Sequence, residues 1–410
     1  MATSLHAPTR KRRLISGSEN VFSRKIRCKQ SHYDVSFQYA SPVIASQTEH
    51  YALNDREVCA RLITVNKQGI REVILIRPGK PVTIGRLPTC SYVVSDPTVS
   101  GQHCKIYAIK SSSNNILISC QDLSTNGLIW NGNTIRKTSL ILMDGDILQL
   151  PSSQQFECLH SCDELREKEK FFDPTPPLKP TSKSVGVWNI TSNSLGSGAF
   201  ATVHLAFDTR RRVQVACKTI RTAGKDLVNS KAQTMKEVNI LKGLNHPNIS
   251  RVLGVEVEEP WVHIFLDLST GGDLFTYIQA QGNLCEGETK FLGFQLMKAL
   301  VYLHERQVSH RDLKPENLLL HAPGPYPRLV LADFGLARPK CYEETFSVCG
   351  TVAYLPPEAI LALASGRTLT VGGSSIDCWG LGVCLFTMLA CVLSSVILRQ
   401  PRGRNTNVER

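Results

Sequence analysis

Two sets of residues have types and spacings suited to handling phosphate. The first runs through Gly85-Arg86, Ser100-Gly101-Gln102-His103 and Asp122-Leu123-Ser124-Thr125-Asn126-Gly127. A forked guanidinium, a hydroxyl and an amide can surround an anion with charge-assisted hydrogen bonds. Taken singly, each has a plain alternative as a surface charge or a turn former. The second set opens with Leu195-Gly196-Ser197-Gly198-Ala199-Phe200-Ala201-Thr202-Val203. A lone Gly-x-Gly is weak, and Ala201 stands where a third glycine is usual. It is followed by Lys218, by His310-Arg311-Asp312-Leu313-Lys314-Pro315-Glu316-Asn317 and by Asp333-Phe334-Gly335. Acids, cations and an amide in this order suit acid–base work and the oxygen coordination of a hard cation.

The elements that must carry the first set are short. Runs at 61–65, 73–76, 92–94, 104–109, 116–120, 128–130 and 147–150 are β-rich and punctuated by Gly, Asn, Pro and Ser. Such spacing predicts an all-β sandwich over 59–160, with its binding groups on loops. The loops, with Asn131-Gly132 and Asp144-Gly145-Asp146 in order behind them, resemble those of the forkhead-associated (FHA) domain, a phosphothreonine-binding sandwich. The resemblance implies that Arg86 and Ser100 donate to the phosphate. It implies that Asn126, with Thr125 beside it, holds the peptide backbone, and that His103 braces the loops. Cys158-Leu159-His160-Ser161-Cys162 suggests a metal, but no second ligand pair lies nearby in sequence.

Residues 161–187 change composition, with charge followed by Asp173-Pro174-Thr175-Pro176-Pro177-Leu178-Lys179-Pro180, and are expected to form a semi-extended linker. From 188 to 390 the second set is joined by Glu237, by Pro356-Pro357-Glu358 and by Asp377-Cys378-Trp379. Motif by motif, this resembles the eukaryotic protein-kinase domain, an α+β bilobal fold. The resemblance implies ATP and Mg²⁺. Leu195, Gly196, Ser197, Gly198 and Val203 would cover the nucleotide, and Leu266 and Asp267 would line the adenine pocket and hinge. Lys218, held by Glu237, would pair with phosphates, and Asn317 and Asp333 would hold Mg²⁺. Asp312 would orient the substrate hydroxyl and accept its proton, while Lys314 neutralises the transferred phosphate. Thr345, Ser347 and Thr351 are expected activation-loop phosphosites that would engage Arg311, although Thr351 has an equal reading as a structural support. Asp273 and Glu316 suggest a substrate Arg ahead of the target Ser/Thr.

The combination resembles the FHA-containing checkpoint Ser/Thr kinases of the calmodulin-kinase-like group. Ser-Gln occurs only at Ser46-Gln47 and Ser153-Gln154, which points to the fungal meiosis-specific branch. That family implies docking on phosphothreonine proteins, a transient self-dimer for activation in trans, and DNA-damage or recombination signalling.

Charge and the chain ends complete the picture. The net charge of +12 is concentrated terminally: residues 1–30 hold eight basic residues against Glu19, and four Arg oppose Glu409 in the last twenty. A basic nucleic-acid-reading face on a folded domain is therefore not expected. Lys11-Arg12-Arg13 and Arg24-Lys25-Ile26-Arg27-Cys28-Lys29 suggest a bipartite nuclear-import signal in a mostly disordered tail, 1–58, in a protein of nucleus or cytoplasm. The 14 cysteines are read as reduced thiols.

Residues 379–398 lack charge and offer a tail anchor as an alternative to a core helix. Beyond 390 the kinase pattern stops, so 391–410 is expected to be an aberrant tail on a lower lobe that lacks its last helices. A buried, unpaired Glu358 would add to the resulting instability. Three classes follow: an active kinase, a phosphothreonine reader with a catalytically dead remnant, and an anchored protein.

Overall fold

The structure, a computed structural model, describes residues 57–110, 115–161, 182–197, 201–222, 227–335, 337–339, 344–345, 351–365 and 371–390. All of them belong to one compact unit, Ala40–Arg410. The import-signal clusters, most of the proline-rich linker, Gly198, Ser347 and the tail after Ala390 lie outside the described residues.

Eleven strands form the first domain: β1 (Ala60–Val65), β2 (Arg71–Ile76), β3 (Val82–Gly85), β4 (Tyr92–Val93), β5 (Cys104–Lys110), β6 (Ile116–Asp122), β7 (Leu128–Trp130), β8 (Asn133–Ile135), β9 (Ser139–Leu142), β10 (Ile147–Gln149) and β11 (Gln155–His160). They make two sheets, ordered β2-β1-β11-β10-β7-β8 and β4-β3-β5-β6-β9. Alternating residues of the two inner faces meet in one core that includes Leu62, Ile76, Ile84, Ile106, Ile118, Leu128, Leu148 and Phe156. Burying each such side chain is worth about 1.5–3 kcal/mol, and this core is what fixes the loop ends in space. The expected sandwich is present, with β3, β8, β9 and β11 added to the strands read from the sequence.

The second domain opens with a six-stranded antiparallel sheet of β12 (Lys183–Val185), β13 (Trp188–Ser197), β14 (Ala201–Asp208), β15 (Val213–Arg221), β16 (Val252–Glu258) and β17 (Trp261–Asp267). Helix α1 (Leu227–Lys242) lays Val238 against Ile220, Val262 and Ile264 of that sheet. A mainly helical lobe follows. It holds α2 (Leu274–Gln281), α3 (Glu286–Glu305), the short strands β18 (Val308–Ser309), β19 (Leu318–Leu320) and β20 (Leu329–Leu331), then α4 (Pro357–Ser365) and α5 (Gly373–Ala390).

Along α3, Leu292, Leu296, Leu300 and Leu303 recur at helical spacing and are buried with Cys384 and Met388 of α5. The opposite faces differ. Phe291, Phe294, Met297 and Val301 of α3 and Trp379, Phe386 and Leu389 of α5 are exposed. Among the described residues, these outer faces of α3 and α5 are apolar and exposed. Glu358, however, is exposed rather than buried. Its carboxylate keeps its water, so the burial penalty anticipated for it does not arise.

Helix α5 is long and apolar enough to cross a membrane by length and composition. Its first turns nevertheless carry Asp377, fully buried against the loop after β18, and its inner face fills the lobe core. Those contacts account for the apolarity of its inner face.

Because Phe294 and Val301 are more than half exposed on the outer face of α3, Phe294→Ser with Val301→Ser should change stability by less than about 1 kcal/mol. The same change should reduce self-association in light scattering. A fall of several kcal/mol in a denaturant melt would instead mean that this face is covered.

Candidate functional site

The first site is assembled by close backbone approach. A Cβ on Gly85 would lie 2.2 Å from the Gly101 carbonyl oxygen, so only glycine lets the loop after β3 reach the loop before β5. That approach places the Arg86 N–H on the Ser100 carbonyl (3.0 Å) and the Leu87 N–H on the Gly101 carbonyl (2.9 Å). Arg86 Nε donates to the Val99 carbonyl at 3.2 Å. Across the gap, the Thr125 N–H donates to Ser100 Oγ (3.1 Å), and Asn126 Nδ2 donates to the Thr98 carbonyl (3.0 Å). The structure thus brings Arg86, Ser100, Thr125 and Asn126 together at one end of the sandwich, with Arg86, Thr125 and Asn126 open to solvent.

His103, fully buried, ties these loops from below. Its Nδ1 accepts the Ser100 N–H at 3.1 Å, so Nε2 carries the proton and donates to the Gly127 carbonyl at 3.0 Å. Burial pushes the His103 pKa down against the opposing pull of the Gly127 carbonyl and the Asp122 charge. The imidazole is held neutral, in one tautomer. Asp122 in turn accepts from the N–H and hydroxyl of Ser124 and from the Lys137 N–H. The sequence alone did not single out Asp122 or Thr98 as loop organisers.

The second site lies between the lobes of the second domain. The hairpin β19–β20 pairs Leu318 with Leu331, which sets Asn317 beside Ala332 and brings distant motifs to one place. The Ala332 N–H donates to the Asn317 carbonyl at 2.9 Å. Asp333 follows, in a left-handed conformation (φ 62°), and Lys218 from β15 reaches its carboxylate at 2.9 Å. Burial acts to raise the Asp333 pKa, but Lys218, His310 and the Gly335 N–H hold it below the usual carboxylate value. Helix α1 carries Glu237 in its backbone.

Asp312 has four hydrogen-bonding or ionic contacts among the described residues. Lys314 Nζ stands 2.8 Å from it, Asn317 Nδ2 donates to it at 3.0 Å, and the Thr351 N–H and hydroxyl donate at 3.1 and 3.0 Å. Burial again works to raise its pKa, and Lys314, Thr351 and Asn317 outweigh it, so the carboxylate stays ionised. Lys314 Nζ also donates to Thr351 Oγ1 at 2.7 Å, so that hydroxyl is engaged on both sides.

The backbone that presents Asp312 is itself held. Asp377, 0% exposed, accepts the His310 N–H (2.9 Å) and the Arg311 N–H (2.7 Å), and it contacts His304 Nε2 at 2.9 Å. Asp377 was legible only as part of a motif; an acid inside an apolar run was the signal for an anchoring role. His310 packs edge-on against Phe334 and bonds the Ala332 carbonyl, coupling the Asp312 loop to the Asp333 loop.

Leu195, Gly196 and Ser197 lie at the end of β13, Val203 lies in β14, and Leu266 and Asp267 end β17. Asp267 pairs with Arg251 at 2.9 Å, and its N–H donates to the Arg251 carbonyl at 3.1 Å. Asp273 is buried and caps α2 through the Thr276 N–H at 2.8 Å. Thr345 lies in a two-residue strand, Glu344–Thr345.

The protein kinase domain family matches residues 190–401, and the FHA domain family matches residues 82–151. The chain is 31% identical to the meiosis-specific serine/threonine-protein kinase mek1 of Schizosaccharomyces pombe, over 92% of this chain and 80% of that protein. It is 30% identical to meiosis-specific serine/threonine-protein kinase MEK1 of Saccharomyces cerevisiae, over 80% of this chain and 71% of that one. It is also 30% identical to the probable serine/threonine-protein kinase fhkC of Dictyostelium discoideum, over 82% of this chain and 55% of that protein.

Two outcomes follow from the geometry. Because the folded state holds His103 neutral, its stabilisation is complete above the ordinary histidine value of about 6.5 and is lost as pH falls below it. The melting temperature of the sandwich should therefore drop between pH 7 and 5.5, and His103→Ala should lower it at pH 7.5 and flatten that slope. Asp377→Ala should cost about 3–5 kcal/mol in a chemical melt, because it strips the partners from two buried N–H groups.

Proposed function

The chain belongs to the FHA-domain-containing serine/threonine protein kinases, and on that premise we propose that it moves the γ-phosphate of ATP to Ser or Thr of proteins to which its FHA domain has docked. The observation that carries the reading is the ionised Asp312, held among Lys314, Asn317 and Thr351 beside the Lys218–Asp333 pair. A substrate hydroxyl presented to Asp312 would be oriented by the carboxylate. As its oxygen bonds to the γ-phosphorus and the bond to the ADP oxygen breaks, its proton passes to Asp312. Lys314, between Asp312 and the incoming phosphate, offsets the charge that gathers on the phosphate oxygens. Lys218 would leave Asp333 for the α- and β-phosphates. The amide of Asn317 and the carboxylate of Asp333 are oxygen donors that fit Mg²⁺, which takes few protein ligands and completes its shell with phosphates and water. When bound, that ion would neutralise phosphate charge. Gly196 with Gly198 would let backbone N–H groups approach the nucleotide.

In the FHA domain, Arg86 and Ser100 would take the phosphothreonine phosphate, and Asn126 with Thr125 would hold the peptide beside it. Ser347 and Thr345 are the activation-loop positions we favour for phosphorylation; the two bonds of Thr351 favour its supporting role. The commitment of Asp273 to a helix cap leaves Glu316 as the acid for a substrate Arg. Burial pushes the Glu316 carboxyl up, and a guanidinium would bring it back down. The paired basic clusters near the N-terminus support a nuclear site of action, and the meiosis-specific relatives support a meiotic setting; recombination or checkpoint signalling with transient self-dimers rests on the family resemblance alone.

A second reading is favoured by one observation, the exposed apolar faces of α3 and α5. In that reading the catalytic lobe is too poorly covered to work, and the chain acts as a phosphothreonine reader alone.

The test is radiolabelled phosphate transfer from ATP-Mg²⁺ to a Ser/Thr peptide with Arg upstream. We expect Asp312→Ala to abolish transfer and Thr351→Val to lower kcat at least tenfold with little change in KM for ATP. Transfer that survives Asp312→Ala would sink the assignment. No transfer from the parent chain, with phosphothreonine-peptide binding that is lost in Arg86→Ala, would select the reader.

A further inference from the structure

The sandwich touches the kinase domain with the end remote from its phosphothreonine loops. Strand β5 starts at Cys104, next to His103, and ends at Lys110; β6 returns from Ile116 to Asp122, and Cys104 pairs with Asp122 while Lys110 pairs with Ile116. At about 3.3 Å per residue, the far end lies about 20 Å from the loops that hold Arg86, Ser100 and Asn126.

Contacts from this far end, and from mid-sandwich where Tyr107 and Ile141 lie either side of Ser119, fall on both lobes. On the sheet lobe, the Gln214 side-chain amide at the start of β15 forms a two-bond fork with one residue of β9. The Ile141 N–H donates to Gln214 Oε1 at 2.8 Å, and Gln214 Nε2 donates to the Ile141 carbonyl at 2.7 Å. Strand β9 is an edge of its sheet, so the glutamine supplies the pairing a neighbouring strand would give. Beside it, Trp130 stacks on Phe207 of β14 with centroids 5.7 Å apart and planes 22° off parallel. Asn115 Nδ2 donates to the carbonyl of Ser194 at 3.3 Å, one residue before Leu195. On the helical lobe, Ile109 abuts Gly272: a Cβ there would lie 3.0 Å from Ile109 Cγ2. Tyr107 abuts Gly324, where a Cβ would lie 3.4 Å from the tyrosine hydroxyl.

Gly272 lies at the pivot between the lobes, since the crossing from sheet to helices runs from Asp267 to Gly272. We propose that the remote end of the sandwich is a docking surface for the hinge side of this chain's own kinase domain, and that by gripping both lobes it restrains the opening of the nucleotide cleft. Rotation of one lobe away from the other must break either the Gln214 fork with the Trp130–Phe207 stack or the Ile109 and Tyr107 contacts. The phosphothreonine loops, at the opposite end, stay open to a peptide while the surface is engaged. The restraint on the cleft rests on the nucleotide reading above; the docking surface does not.

The experiment uses the full chain and two variants outside the catalytic and phosphothreonine residues, Gln214→Leu on the lobe and Ile109→Arg on the sandwich. Hydrogen–deuterium exchange should accelerate at least tenfold over 139–142 in Gln214→Leu and over 213–215 in Ile109→Arg. Release of a fluorescent ADP in stopped flow should become several-fold faster in each. The double variant should be little faster than either, because both break one interface. Exchange that stays at parental rates in both variants overturns the docking surface. Faster exchange with ADP release within twofold of the parent, or with no ADP bound at all, overturns the restraint on the cleft and leaves the surface standing.

Discussion

The catalytic geometry hangs on the carboxylate of Asp377. It is wholly buried, yet it accepts two successive backbone N–H groups, those of His310 and Arg311, with a third contact from His304. Arg311 is in the left-handed region (φ 70°), which costs a non-glycine residue about 1–2 kcal/mol. The short bond from its N–H to Asp377 holds it there, and that turn aims Asp312 toward the cleft. Burying a charge costs several kcal/mol unless it is well partnered, so Asp377 is tolerable only because its partners are fixed. They are fixed by α5 itself, whose inner face packs with α3 in the lobe core. A residue that touches no substrate therefore couples the packing of one helix to the position of the reacting groups.

The two phosphate-oriented sites solve opposite problems. The FHA loops hold their donors with neutral backbone bonds and a neutral histidine, leaving Arg86 as the cation that a phosphate would find. The kinase cleft pairs its charges in advance: Lys218 with Asp333, and Lys314 with Asp312. On the proposed reading, the first site would meet a dianion with the Arg86 cation, whereas the second would need a ligand that brings both of its paired charges new partners.

Much of this was legible in the sequence because the chemistry-bearing residues sit in short, ordered motifs. Residue types and order placed Asp312, Lys314, Asn317 and Asp333 in one cleft without any distance. The strands were less legible. In Ser139–Leu142 three apolar residues follow one another, with no alternation to betray a strand. Ile141 is buried against a second domain, so both faces of β9 are covered and the period of two is erased. In Gln155–His160 the alternation is present, with Phe156 and Cys158 inward, but the Cys158 and Cys162 spacing drew a metal reading over the same stretch. Glu358 was expected to be buried because its motif usually encloses it, and exposure depends on neighbours that no local pattern encodes. Thr98 receives Asn126 on its backbone carbonyl, which leaves no signature in side-chain type, and Asp122, which accepts through its carboxylate, looks in sequence like an ordinary turn acid.

The glutamine fork on β9 has a consequence for anyone who would study the two domains apart. Cut from the kinase lobes, the sandwich would keep Ser139–Leu142 as a bare, apolar edge, with the Ile141 N–H and carbonyl unpaired. Such an edge accepts a strand from any available chain, including another fragment. An excised sandwich would then pair with itself through a surface that the intact protein never presents. A dimer seen in such a fragment would report the severed contact rather than the assembly of the whole protein.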